Sequence, residues 1–209
     1  MIEAALALTR EHGLDDWSMR DLAAALDTWP NTISHHVGGR EQVVEQVVDR
    51  VVGMMTNPEP GLGWQEWFRV FLHDGREVLR RHPGVARRLC RDGPAVPSAM
   101  PIMERGVGLL AEAGFGAQAP RAYALLLNSA ILLVALADDR AASGLSQDTA
   151  ASRLRDFAPA EGAGEPWALM HGYLREWTES PEDAFAALFD FTVDRVIAGL
   201  EQEPGCLHA

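Results

Sequence analysis

With 209 residues, 47% of them hydrophobic, the chain is long enough for one sizeable core, or for one small module beside a larger domain. Its net charge of −12 excludes a protein that coats nucleic acid or membrane surfaces by general attraction. Two cysteines, Cys90 and Cys206, stand far apart and outside any CxxC spacing, which excludes a disulfide framework and predicts a reducing, cytoplasmic setting.

The N-terminus opens on an amphipathic helical segment, which is not the pattern of a signal peptide. Ser18 then stands just before the apolar-periodic run Met19, Leu22, Ala23 and Leu26. Asp21 follows three residues after Ser18, giving the pattern of a capping box, in which side-chain oxygens satisfy the free N–H groups of a first helical turn. A helix is therefore predicted from Met19 to near Leu26. Asp27-Thr28-Trp29-Pro30 is a short break, because Pro30 cannot sit inside a helix but suits the first turn of the next. In that next helix Ile33 and Val37 give an inward face, and Asn31, Thr32, Ser34 and His35 point elsewhere. Gly38-Gly39 closes it. Arg40-Glu41 opens a further helix, in which valine pairs at 43/44, 47/48 and 51/52 recur every four residues. Two short helices joined by a tight turn, with polar side chains exposed on the second, have the geometry that places a recognition helix in the DNA major groove. A plain helical hairpin packed into a larger bundle has the same spacing.

Three stretches carry a resemblance. Ile2-Glu3-Ala4-Ala5-Leu6 with Glu11-His12-Gly13 is the first, and Ser18-Met19-Arg20-Asp21-Leu22-Ala23 is the second. Pro30-Asn31-Thr32-Ile33-Ser34-His35-His36-Val37 with Arg40-Glu41 is the third. In order and spacing these resemble the TetR family of bacterial transcriptional regulators over about the first fifty residues. His82-Pro83-Gly84 and the ending Phe185 to Leu200 match more loosely. Three positions depart from the family pattern: Asp27 where a Gly usually stands in the turn, Trp29 in place of a small capping residue, and Ser34 where a phosphate-touching Tyr is common. Thr28 is the substitute cap, and Ser34 retains a hydroxyl that can donate to phosphate.

Asn57 to Gly63 is a loop by its Pro and Gly content. Trp64, Trp67, Phe68, Phe71 and Leu72 then recur at helical spacing up to Arg80-Arg81, whose charges suit a helix C-terminus. Shorter helices are predicted around Val85 to Arg91 and from about Ala99 to Ala113, the latter ending at Gly114. Ala119 to Asp139 reads as a long, nearly all-apolar helix buried on most sides. Its most apolar run, Ala122 to Ala137, is too short to span a bilayer and is interrupted by Asn128-Ser129. Residues 140 to 165 contain one short helix near Thr149 to Phe157. Trp167 to Thr178 and Glu182 to Gln202 are the final helices, separated at Ser180-Pro181. No strand pattern appears, so the fold class is all-α: an N-terminal helix-turn-helix domain over 1–46 and a ligand-binding and dimerisation domain over 47–209.

On this reading the DNA-binding residues are Arg20, Asn31, Thr32, Ser34, His35 and Arg40. Arg20 and Arg40 are the expected phosphate partners because each begins a helix, where backbone N–H groups also point outward. Residues 1 to 50 hold four Arg against nine Asp and Glu, a net of −5, which is sparse charge for a DNA reader. Trp64, Trp67, Phe71, Met100, Met103, Phe115, Tyr123, Asn128, Trp167, Met170 and His171 are the expected ligand-binding residues, since small-molecule pockets are mostly apolar with a few placed polar groups. The same aromatic and Met positions also read as ordinary core. No cofactor is implied, and no nucleophile, metal cluster or dinucleotide motif points to an enzyme. The resemblance implies a ligand-responsive regulator, a repressor, that binds an inverted-repeat operator as a homodimer. The scarcity of charge among the aromatic and Met positions predicts an apolar small-molecule effector, and the resemblance implies that two C-terminal helices, here 119–139 and 182–202, pair with their copies in a second subunit. The alternative is a TetR-like fold that has lost operator binding and serves as a small-molecule binder or enzyme.

Overall fold

The computed structural model describes residues 1–143, 149, 152 and 164–201, and among them every regular element is helical. The order is α1 (Ile2–His12), α2 (Met19–Ala25), α3 (Pro30–Val37), α4 (Arg40–Val52), α5 (Trp64–Arg80), α6 (Val85–Asp92), α7 (Met100–Leu110), α8 (Ala119–Ala142), α9 (Glu165–Glu179) and α10 (Pro181–Glu201). The helix expected near Thr149 to Phe157 lies, but for residues 149 and 152, outside the described residues.

Local chemistry accounts for most boundaries. At α2 the Ser18 hydroxyl accepts from the Arg20 and Asp21 N–H groups, and the Asp21 carboxylate accepts from Ser18 N at 2.7 Å, completing the capping box. Asp27 turns the chain toward α3 with φ +47°, the one non-glycine residue in the left-handed region among those described. This explains why a glycine suits the position. Pro30 is the first residue of α3, and Gly38 ends it at φ +85°. Trp29 begins α3 without a side-chain cap. Thr28 does not supply one either: its backbone N–H goes to Ala23 O.

All six α4 valines are buried, each contributing about 2 kcal/mol of apolar burial. Their stripe packs on α1 and α3 on one side and on α5 and α6 on the other. One continuous apolar cluster therefore runs from Ala5 to Ile197 through both parts of the molecule.

Behind α4, α8 is the central strut and packs on α5, α6, α7 and α10. By length and composition the stretch Pro97–Ala142 would pass as a membrane span, but half of its apolar window is buried inside the fold. The expectation that this helix is covered on most sides fails for the single chain. Leu125, Leu132 and Leu136 on α8 are 50%, 57% and 40% exposed, and Phe191 on α10 is 63% exposed. The helix carries more apolar residues than the intrachain partners on one of its sides can cover.

Candidate nucleic-acid interface and effector cavity

In α3, Ile33 is buried and anchors the helix on the module's core, while Asn31, Thr32, Ser34 and His35 are exposed. This is the arrangement the four-residue spacing predicts. Trp29, at the entry to α3, is 80% exposed and adds a large aromatic surface beside these polar groups. Arg20 is exposed at the start of α2, but the N–H groups of that helix end are already taken by Ser18, so only its guanidinium is available to a phosphate. Hydrogen bonds from Ser18 hold the Asp21 carboxyl below its ordinary pKa and keep it ionised within the cap.

Arg40 is placed otherwise than its helix-start position suggested. Its Nε donates to Trp17 O at 3.0 Å, a terminal nitrogen donates to Leu14 O at 2.7 Å, and the guanidinium lies over the Trp17 ring, 4.9 Å from the centroid. The charge thus holds the α1–α2 connection against the start of α4. Trp17 is itself fixed from below: its Nε1 donates to Thr9 Oγ1, and the Thr9 hydroxyl donates to Ala5 O. Arg40 therefore positions the helix-turn-helix instead of presenting a free cation at its surface.

The module is joined to the helical domain at His82-Pro83-Gly84, between α5 and α6. Leu14 N donates to Pro83 O at 2.8 Å, and Gly84 N donates to Asp138 Oδ2 of α8 at 2.9 Å. Gly84 has φ +87°, and a Cβ there would lie 3.1 Å from Leu14 Cβ, so both conformation and space require glycine. Arg10 Nε donates to His82 Nε2 at 3.0 Å. The proton of this neutral ring is therefore on Nδ1, which donates to Val78 O at 2.7 Å. Burial, and after it the nearby Arg10 and Arg81 charges, keep the His82 pKa below its usual value against the raising effect of Val78 O. A second bridge, the Glu41–Arg88 ion pair, ties the start of α4 to α6.

The expected ligand-binding residues separate into three groups. Trp64, Trp67, Phe71, Phe115 and Tyr123 form one packed aromatic cluster between α5, α7 and α8. Trp67 stacks on Phe71 with centroids 5.1 Å apart, Trp64 meets Phe115 edge-on at 5.5 Å, and Tyr123 reaches Phe68. Gly106 makes this closeness feasible, since a Cβ there would come within 2.8 Å of Tyr123. Burial pushes the Tyr123 hydroxyl up to about 12. Met103 is half-buried beside this core, whereas Met100 and Asn128 are exposed. Trp167, Met170 and His171 lie on α9, whose main packing partner among the described residues is α10.

A small cavity of about 20 Å³ lies between α5, α8 and α10, lined by Phe71, Gly75, Arg76, Leu127, Ile131 and Phe189 among others. Of the expected ligand-binding residues only Phe71 lines it. The sequence reading missed Arg76, whose signal is its place in the helical period: four residues after Leu72 and three before Leu79, it falls beside the apolar stripe of α5.

An exposed third helix braced from behind and joined by a fixed corner to a larger domain, helical among the described residues and holding a small cavity, is the build of a helix-turn-helix transcriptional regulator. The chain belongs to the TetR family: residues 57–203 match the tetracyclin repressor-like C-terminal domain, and residues 1–47 match the bacterial regulatory proteins of the tetR family. Members are transcription factors and not enzymes. A transcriptional regulator from Saccharopolyspora erythraea is 32% identical over 117 residues, covering 56% of this chain and half of that relative's length. The transcriptional repressor DrrR1 of Streptomyces coeruleorubidus is 27% identical over 96% of this chain and 76% of its own length. Among solved structures, Streptomyces coelicolor ActR in complex with actinorhodin superposes with a TM-score of 0.73 at 26% identity, covering 98% of this chain and 96% of that one.

Proposed function

We propose that this regulator is a repressor that binds an inverted-repeat operator as a homodimer and releases it when an apolar small molecule enters the helical domain. The observation that carries this reading is α3, which exposes Asn31, Thr32, Ser34 and His35 along one short helix while Ile33 fixes it to the core. The name of the Streptomyces coeruleorubidus relative supports the repressor mode, and the actinorhodin complex of ActR supports a largely aromatic or polycyclic effector. The uncovered leucines of α8 with Phe191 of α10 support pairing with a second copy through a four-helix seam. An effector with different affinity for two spacings of the paired recognition helices shifts the population away from the one that fits DNA.

The test is a mobility-shift assay with the pure protein and the DNA flanking its own gene, run across a salt series. A sharp shift on an inverted repeat is expected, with base preference relaxed by Thr32→Ala and affinity for all sequences reduced by Arg20→Ala. Light scattering should give about twice the chain mass of 22.8 kDa. A second reading, a family fold without operator binding, is favoured by the inward commitment of Arg40 in an already acidic module. Selection from a genomic library at low salt that enriches no motif would establish it.

A further inference from the structure

Helices α5 and α10 are joined by a row of polar pairs. Gln65 Nε2 donates to Glu201 at 2.9 Å, Arg69 Nε to Asp194 at 3.1 Å, His73 faces Asp190 at 3.7 Å, and Arg80 faces Glu182 at 3.7 Å. Arg76 belongs to the same row by its spacing, yet α10 offers it the ring of Phe189 instead of a carboxylate, 5.1 Å from the guanidinium carbon. The Arg76 side chain is only 10% exposed. Its Nε is buried with no protein acceptor in reach among the described residues, and its one carboxylate contact there is Glu77 on its own helix, at 3.9 Å. The residue lines the cavity between α5, α8 and α10, whose other walls are apolar. A buried guanidinium always carries its charge, and a donor left unmatched in such surroundings costs free energy until an acceptor arrives.

We propose that Arg76 is the receptor for an acidic group of the effector, a carboxylate or ionised phenol on an otherwise apolar ring system. The inference rests on the effector-responsive reading above and adds the charge of the ligand to it. An acidic oxygen placed in the cavity accepts the Nε–H of Arg76, while the rings lie against Phe71, Leu127, Ile131 and Phe189. At about 20 Å³ the cavity holds roughly one water molecule, so a bound effector must part α5, α8 and α10. Parting them moves the α8 carboxylate of Asp138 relative to the Gly84 corner that holds the N-terminal module.

The experiment titrates the full-length protein with 2-naphthoate and with its neutral counterpart 2-naphthamide, followed by calorimetry. The native protein is expected to bind the naphthoate roughly tenfold more tightly, as a charge-assisted hydrogen bond in an apolar site requires. Arg76→Met should abolish that preference by weakening naphthoate alone, and Arg76→Lys should retain part of it. Ala130→Met, which extends a side chain into the cavity, should weaken both compounds. Without ligand, Arg76→Met should melt at or above the native temperature. Equal affinity for the two compounds in the native protein, or a preference that survives Arg76→Met, overturns the proposal and leaves the effector reading intact. So does an Arg76→Met protein that melts lower and loses naphthamide as well, since Arg76 would then be a structural brace. Failure of both compounds to bind the native protein counts against the effector reading and this inference together.

Discussion

The N-terminal module and the helical domain differ in the buried donors they leave without a protein partner. In the module, Trp17 Nε1 has Thr9 Oγ1, Thr9 has Ala5 O, and Arg40 has two carbonyl oxygens and an aromatic face. The three buried side-chain nitrogens without a protein partner among the described residues, on Trp67, Arg76 and Trp167, all belong to the helical domain. A donor satisfied internally adds rigidity, whereas one left unmatched is a cost that a bound molecule can remove. The module is thus complete within its own chain, as a part that must present α3 in one orientation should be. The helical domain retains capacity for something from outside.

Breaking the module's satisfaction should have the largest effect. Arg40→Met removes the donors of two carbonyl bonds and the contact over Trp17, and is expected to cost about 3 kcal/mol, read as a lower urea midpoint. A loss of DNA affinity with stability unchanged would instead show Arg40 at the phosphate backbone. Thr9→Val leaves the buried Trp17 N–H without its acceptor and should cost about 2 kcal/mol by the same measurement.

The joint between the regions should respond to pH. Because the folded pKa of His82 is depressed below 6.5, the unfolded chain binds its proton first as pH falls. The stabilising contribution is complete above about pH 6.5 and is lost as pH drops toward the folded value. His82→Gln keeps a donor and an acceptor but removes the titration. Its urea midpoint should therefore fall less between pH 7.5 and 5.5 than that of the native protein. Equal slopes would mean that folding leaves the His82 pKa unshifted, and a native midpoint that falls less than the variant's would mean that the joint holds the ring protonated. The smallest expected effect is a gain. Asp27→Gly relieves a left-handed residue at φ +47° and should stabilise by about 0.5–1 kcal/mol, with DNA affinity retained if the turn is only a connector.

What the sequence disclosed were the features decided within one or two helical turns. The capping box at Ser18, Pro30 at the start of α3 and the α4 valine pairs are local, and each is found where its spacing places it. What it concealed depends on distant partners. Arg40 looked like a phosphate ligand because its carbonyl acceptors lie 23 and 26 residues earlier in the chain. Arg76 carries no local signal of a special role, since only the packing of α10 reveals that Phe189 stands where the neighbouring rungs have acids. The aromatic positions of α5 meet Tyr123 in one cluster, but their spacing in the sequence does not distinguish a filled core from a space for ligand.

The Gly84 corner also bears on how such proteins can be recombined. Leu14 occupies the space where any side chain at position 84 would begin, and its N–H is held by Pro83 O. A DNA-reading module grafted from a relative would have to bring a matching residue 14 and a compatible loop after α1, or the host's corner would reject it. Chimaeras cut only at the end of α4 should therefore fold poorly, while those that exchange α1 to α4 together with the turn between α5 and α6 should assemble.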